Sequence, residues 1–290
     1  MAERLTLHIA EYHGPASRRW LTSTALRHAA RFTRDGILWT PSAMKAYLDG
    51  CAPLVESPAL EFGSAFHALV EGQTIDEIAS IMPAGMKRST NEYKKEWRLA
   101  VEEKYGPDRV DLSWNESEDL RSCHNALKDS PIVRELLEDP SVAVEGTIRW
   151  EMGLPVQVRP DLETLGPIID WKTAADPHAF PYHIYKLGYH RSASLQRQGV
   201  YEASGEWKRF IHVVVGKKPP HDIVCYELPE RDLDLGFREN LKLIAQVQAW
   251  MYADAWESHW ERAIVKAGMP DYHHADSESA FIDEEFGGDE

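Results

Sequence analysis

The feature that most constrains this chain is a switch in hydrophobic period near Val142. Before it, apolar residues recur at helical spacing behind helix-starting signals. Pro41-Ser42 leads into AMKAYLDG, and Pro58 leads into ALEFGSAFHALVEG, where Phe62, Phe66, Leu69 and Val70 form one stripe. Thr74 stands before IDEIASI, and STNEYKKEWRLAVEEKYG and NESEDLRSCHNALKD each open on a capping residue. From Val142 the period becomes two. In VAVEGTIRWE the positions Val142, Val144, Ile148 and Trp150 are apolar, whereas Glu145, Thr147, Arg149 and Glu151 are polar, which predicts a half-buried strand. LPVQVRPDLETL follows as a second strand after Gly153, and GPIIDWKT as a third. A partly helical segment around HRSASLQRQGVYEA precedes the strands KRFIHVVVG and HDIVCYEL, and the long amphipathic run from Glu230 closes the fold.

Helices, then three strands, a helix and further strands predict an α/β fold with a central mixed sheet flanked by helices. The expected organisation is a single domain over 1–270 with a helical part over 16–138, a sheet core over 142–228 and a C-terminal helix over 230–267. An acidic tail over 271–290, ending AFIDEEFGGDE, resembles the anionic-hydrophobic tails that recruit partners.

A chain of 290 residues, 43% hydrophobic, has enough apolar material for a core. No apolar run approaches the ~20 residues that span a bilayer. The opening MAERLTLHIAEYHG lacks the apolar block of a signal peptide, so a soluble cytoplasmic protein without membrane contact is expected. Cys51, Cys123 and Cys225 stand apart, read as reduced thiols, and are too few for a four-thiolate iron–sulfur cluster. A net charge of −15 argues against nonspecific coating of nucleic acid. Bunched basic residues (Lys87, Arg88, Lys94, Lys95 and Arg98; Lys208 and Arg209; Lys217 and Lys218) are consistent with a local positive surface inside that acidic envelope, but for any single bunch an ordinary solvated face is the simpler reading.

Strand alternation puts Asp170 and Lys172 on one face and turns Trp171 the other way. By the same rule Arg159 and Asp161 share a face of the preceding strand, and Glu145 lies on the polar face of the strand before it, with Glu151 as the alternative acid. Glu145, Asp161, Asp170 and Lys172 are thus expected to converge. Oxygen ligands of this kind suit Mg²⁺ or Mn²⁺. Lys172 would orient the attacking water or, with a depressed pKa, deprotonate it.

The spacing Asp161-x8-Asp170-Trp171-Lys172, preceded by a strand glutamate and an upstream GSAFH helix, resembles the PD-(D/E)xK nuclease superfamily in its motif-histidine branch. Within that branch it is most similar to the exonuclease VIII (RecE-type) phage and prophage nucleases. The resemblance runs from Trp39 to Leu228 through TPSAMKAYLDG, FGSAFHALVEG, MKRSTNEYKKEW, SPIVRELLEDPSVAVEGTIRW, GLPVQVRPDLETLGPIIDWKTAADP, LGYHRSASLQRQGVY and FIHVVVGKKPP. It implies a restriction-endonuclease-like core and a Mg²⁺-dependent exonuclease, with Mn²⁺ as substitute. Such an enzyme digests linear double-stranded DNA from 5′ ends and yields single strands for recombination by annealing. His67, Asp161, Asp170 and the Trp171 carbonyl would hold the metal, and Lys172, Asp170, Asp161 and Glu145 would be catalytic. Related nucleases carry Gln-x-x-x-Tyr on the helix after the lysine strand; here Ser192 and Gln196 occupy those places, and together with Arg159, Lys87 and Arg88 they are the expected DNA-positioning residues. The resemblance further implies a homo-oligomeric ring, a tetramer, and a single-strand annealing partner in the cytoplasm of a bacterial host. Trp250, Trp256 and Trp260 are candidate interface residues or, alternatively, core residues. The alternatives are a structure-selective endonuclease of the same superfamily and a catalytically silent DNA- or partner-binding module.

Overall fold

The computed structural model describes residues 2–33, 36–52, 57–106 and 109–257. The chain opens with β1 (Glu3–Leu5), α1 (Ile9–Tyr12), α2 (Ser23–Ala29) and the hairpin of β2 (Ala30–Thr33) and β3 (Gly36–Trp39). Helices α3 (Pro41–Leu48), α4 (Pro58–Val70) and α5 (Ile75–Ile78) lead to β4 (Ala79–Ile81), α6 (Arg98–Tyr105), β5 (Val110–Leu112), α7 (Trp114–Asp129) and α8 (Pro131–Leu136). The second half holds β6 (Ser141–Val144), β7 (Thr147–Glu151), β8 (Pro155–Val158), β9 (Leu162–Thr164) and β10 (Ile168–Ala174). It ends with α9 (Phe180–Lys186), α10 (Tyr189–Ser204), β11 (Phe210–Gly216), β12 (Ile223–Glu227) and α11 (Glu230–Ala253).

The main sheet has the order β12-β11-β10-β9-β6, with β10 and β11 parallel and the other pairs antiparallel. Parallel pairing requires a crossover, and α9 with α10 supplies it. Each face of the sheet has its own core. Ile168 and Phe210 pack toward α2, α10 and α11 with Leu26, Leu195 and Leu243, while Ile169, Trp171, Ile211 and Val213 pack toward α4 and α7 with Phe66 and Leu120. Two close approaches set the first layer. A Cβ on Gly199 would lie 2.6 Å from Val158 Cγ2, and one on Gly236 would lie 2.4 Å from the His190 carbonyl oxygen.

The mixed α/β class expected from the period switch is observed, but the expected strands are divided. VAVEGTIRWE breaks at Glu145, whose φ of 50° is left-handed, so β6 joins the main sheet while β7 joins β1 and β8 in a separate three-stranded sheet. The break reverses the apolar face: Val142 and Val144 are exposed, whereas Ile148 and Trp150 are buried. The second expected strand is likewise split into β8 and β9, one in each sheet. In the helical half the chain also makes the β2–β3 hairpin and the parallel pair β4–β5.

The C-terminal helix, expected to run to 267, stops at Ala253, where Asp254 turns left-handed and its N–H donates to the Trp250 carbonyl. Trp250 is buried, with Trp39 edge-on at 5.9 Å and Trp256 at 6.1 Å, which makes it a core residue rather than a free interface anchor. Trp260 and the acidic tail lie outside the described residues. Among those described, no helix is long and apolar enough to cross a membrane.

Candidate active site

The site forms where the two sheets part. β9 pairs with β10 at Ile168 and Ile169, and among the described residues the β10 edge beyond them has no strand partner on that side. Asp161, just before β9, takes over: its Oδ2 accepts from the Trp171 backbone N–H at 2.8 Å. N–H and C=O of one strand residue point the same way, so the Trp171 carbonyl opens toward the same gap. The two breaks are also tied to each other. Glu145 N–H donates to the Asp161 carbonyl at 3.0 Å, and the Glu145 carboxylate pairs with Arg159.

Helix α4 brings the third component. Ser57 caps it by accepting from Leu60 N–H, and Pro58 stands in its first turn. Its stripe of Phe62, Ala65, Phe66 and Leu69 is buried against α7 and the sheet, which turns His67 in its last turn toward Asp161, with Nδ1 3.5 Å from Oδ2. One donor atom from each of His67, Glu145 and Asp161 falls within 4.8 Å of the others. An imidazole beside two carboxylates, with a peptide carbonyl close by and no thiolate, fits Mg²⁺ or Mn²⁺. Of the expected metal ligands, His67 and Asp161 fall in this tight group together with Glu145, and Asp170 stands close enough to Asp161 to act on its charge.

Asp170 and Lys172 lie on one face of β10, as alternation requires, and form an ion pair through Oδ2. The same Oδ2 also meets His212 Nδ1 at 2.8 Å. Burial alone would raise the Asp170 carboxyl, but Lys172 and His212 hold it well below the usual carboxylate range. Burial likewise favours a neutral Lys172, yet the Asp170 and Asp161 charges outweigh it and its pKa rises. This direction favours the first of the two expected roles, an ammonium that orients the attacking water, over a lysine with a depressed pKa. Its Nζ also donates to the Trp171 carbonyl at 3.1 Å and lies 5.6 Å from the Tyr189 ring centre.

Asp161 shows the opposite balance. Burial pushes it up to about 6, with the Asp170 and Glu145 charges adding to the rise and His67 and Lys172 opposing it. Glu71, one turn beyond His67, is pushed up to about 7 by burial and by its hydrogen bond and like charge to Glu145. Glu71 was visible in the sequence only as a residue sharing the helix face of Gly63 and His67, and nothing local marked it as part of an acidic pair.

The expected DNA-positioning residues separate. Ser192, with Ser23, Thr24, Arg27, Gly188 and Tyr189, lines a cavity of about 220 Å³ that reaches Lys172. Gln196 is instead buried, its Oε1 without a hydrogen-bond partner among the described residues. Arg159 is committed to Glu145 and donates to the Leu7 carbonyl at 2.6 Å. Lys87 is exposed, but Arg88 is half-buried between Glu61 and Glu116. Some other members of the basic bunches form ion pairs: Arg98 faces Glu102 and Asp111, Lys208 is buried against Glu163, Arg209 faces Glu227 and Lys218 faces Asp119, whereas Lys217 lies over the Phe62 ring at 4.8 Å. These pairs neutralise part of the basic charge, as ordinary solvated faces would.

Residues 31–264 match the family described as a PDDEXK-like domain of unknown function (DUF3799). The chain belongs to that family. The fold agrees: a crystal structure described as a "Putative exonuclease" from Eubacterium rectale aligns with a TM-score of 0.62 at 14% identity, covering 92% of this chain and 97% of that one. No curated protein matches the sequence. Family and fold together put the chain in the PD-(D/E)xK nuclease superfamily. The narrower likeness to the exonuclease VIII type rests on the sequence motifs.

Proposed function

We propose that this protein is a Mg²⁺-dependent deoxyribonuclease that digests linear double-stranded DNA from 5′ ends and leaves single strands for recombination by annealing. The observation that carries the reading is the convergence of His67, Glu145 and Asp161 within 4.8 Å, beside the Asp170–Lys172 pair. A divalent cation bound by His67, Asp161, Asp170 and the Trp171 carbonyl, with Glu145 at its side, would polarise a phosphate oxygen and acidify the attacking water. The protein's own groups do the rest. His67 and Asp161 fix the carboxylate geometry, and Arg159 restrains Glu145. Lys172, kept charged by Asp170 and Asp161, donates to the phosphate oxygen on which charge develops during in-line attack. The product would carry a 5′-phosphate. Ser192 and its cavity adjoin Lys172 and suit the positioning of the strand end.

The ring, taken as a tetramer, the annealing partner, a phage or prophage origin and a place in the bacterial cytoplasm rest on the likeness to the exonuclease VIII type. Incubation with linear duplex labelled separately at 5′ and 3′ ends, with Mg²⁺, with Mn²⁺ and with EDTA, beside a closed-circular control, tests the reading. Early release of the 5′ label with the circle intact is the expected result. Cutting of the circle would favour the structure-selective endonuclease, and binding without cutting would favour a silent module.

A further inference from the structure

His212 is a buried titratable group that the metal cluster does not include. It stands on β11 directly opposite Asp170 in the parallel register, so the two side chains share a face. Its side chain is 1% exposed, and its Nδ1 lies 2.8 Å from Asp170 Oδ2. A carboxylate only accepts, so Nδ1 carries the proton and donates. The other ring nitrogen, Nε2, is buried without a hydrogen-bond partner among the described residues. Phe180 and Phe210 meet the ring edge-on at 5.3 and 5.2 Å, and Tyr189 lies at 5.8 Å. An orphaned buried nitrogen is unfavourable, and a leucine would fill the same aromatic enclosure without it. Among the described residues, the geometry therefore gives this histidine one polar contact, and that contact is to Asp170.

We infer that His212 is a positioning residue that fixes the orientation of Asp170 for cation binding. His212 and Lys172 both hold Oδ2, one from the neighbouring strand and one from the same strand, so Oδ1 is the oxygen left to the cation. A carboxylate gripped at one oxygen from two directions cannot rotate freely, and such outer partners commonly change metal affinity 10–100-fold. The inference rests on the metal-centre reading above and deepens it.

The test compares full-length wild type with His212→Asn, His212→Leu and Asp161→Asn, reading Mn²⁺ binding by electron paramagnetic resonance and unfolding temperature in parallel. Asparagine keeps an N–H donor near the Nδ1 position but leaves part of the ring space empty; leucine fills the space and donates nothing. The expected result is near wild-type Mn²⁺ affinity for His212→Asn and a loss of at least about tenfold for His212→Leu, with leucine the more heat-stable of the two. A purely packing role predicts no difference in Mn²⁺ affinity between them. His212→Leu binding Mn²⁺ as wild type does, while Asp161→Asn fails to bind, would overturn the role of His212 alone. A wild-type protein that binds no Mn²⁺ would overturn the metal-centre reading and this inference with it.

Discussion

Asp161 is the residue on which the site's electrostatics turn. Its pKa of about 6 lies above the ordinary aspartate value, so the folded state holds a proton that the unfolded chain has already lost. Stability without metal is therefore expected to fall as pH rises from about 4 to about 6. Asp161→Asn removes that penalty: at pH 7.5 and without metal it should stabilise the protein by roughly 1–3 kcal/mol, while at pH 4 the gain should vanish. Denaturant melts at the two pH values, in chelator, check this. The same variant should lose Mg²⁺-dependent cleavage, which separates a functional carboxylate from a structural one. Asp170 and Lys172 were legible in the sequence because both lie within one uninterrupted strand, where alternation alone decides the face. His212 was not, because its link to Asp170 depends on which residues of β10 and β11 stand side by side, and no local pattern encodes that register.

At the level of elements, the two glycines with different surroundings make a paired test. A methyl at Gly236 would meet the His190 backbone 2.4 Å away, where α10 and α11 cross, and backbone cannot swing aside as a side chain can. Gly236→Ala should destabilise by about 1–3 kcal/mol. At Gly63 in α4 nothing lies within 4 Å, so Gly63→Ala should stabilise by up to about 1 kcal/mol through helix propensity. Thermal denaturation of both variants reads the contrast directly. The helices were legible from caps and stripes, and α4 shows both signals in the Ser57 cap and the Phe62–Phe66–Leu69 face. The division of the strands was not. Alternation runs unbroken through Glu145 in the sequence, and only the left-handed backbone there, held by the bond from Glu145 N–H to the Asp161 carbonyl, sends β6 and β7 into different sheets. The same break brings Glu145 beside His67.

For the whole molecule, fold class was legible because a helical half followed by alternating strands leaves few ways to bury both. Charge was less informative. Several of the bunched basic residues are paired with acids once folded, as Arg88 is with Glu61 and Glu116, and no spacing in the sequence distinguishes such paired charges from free ones. Sedimentation at micromolar concentration should give a closed oligomer, with four subunits as the exonuclease VIII likeness implies, and a monomer that digests DNA processively would contradict the ring.

Cleavage of linear duplex DNA decides whether the gap between the sheets is a metal-dependent hydrolytic centre. Wild type, Asp170→Ala and Lys172→Ala are compared in Mg²⁺ and in EDTA, each first checked for native unfolding. Turnover by wild type in Mg²⁺ only, and a loss of 100-fold or more in either variant, corresponding to about 3 kcal/mol of transition-state stabilisation, is the expected result. Turnover in EDTA, or near wild-type rates from a folded Asp170→Ala protein, would contradict it.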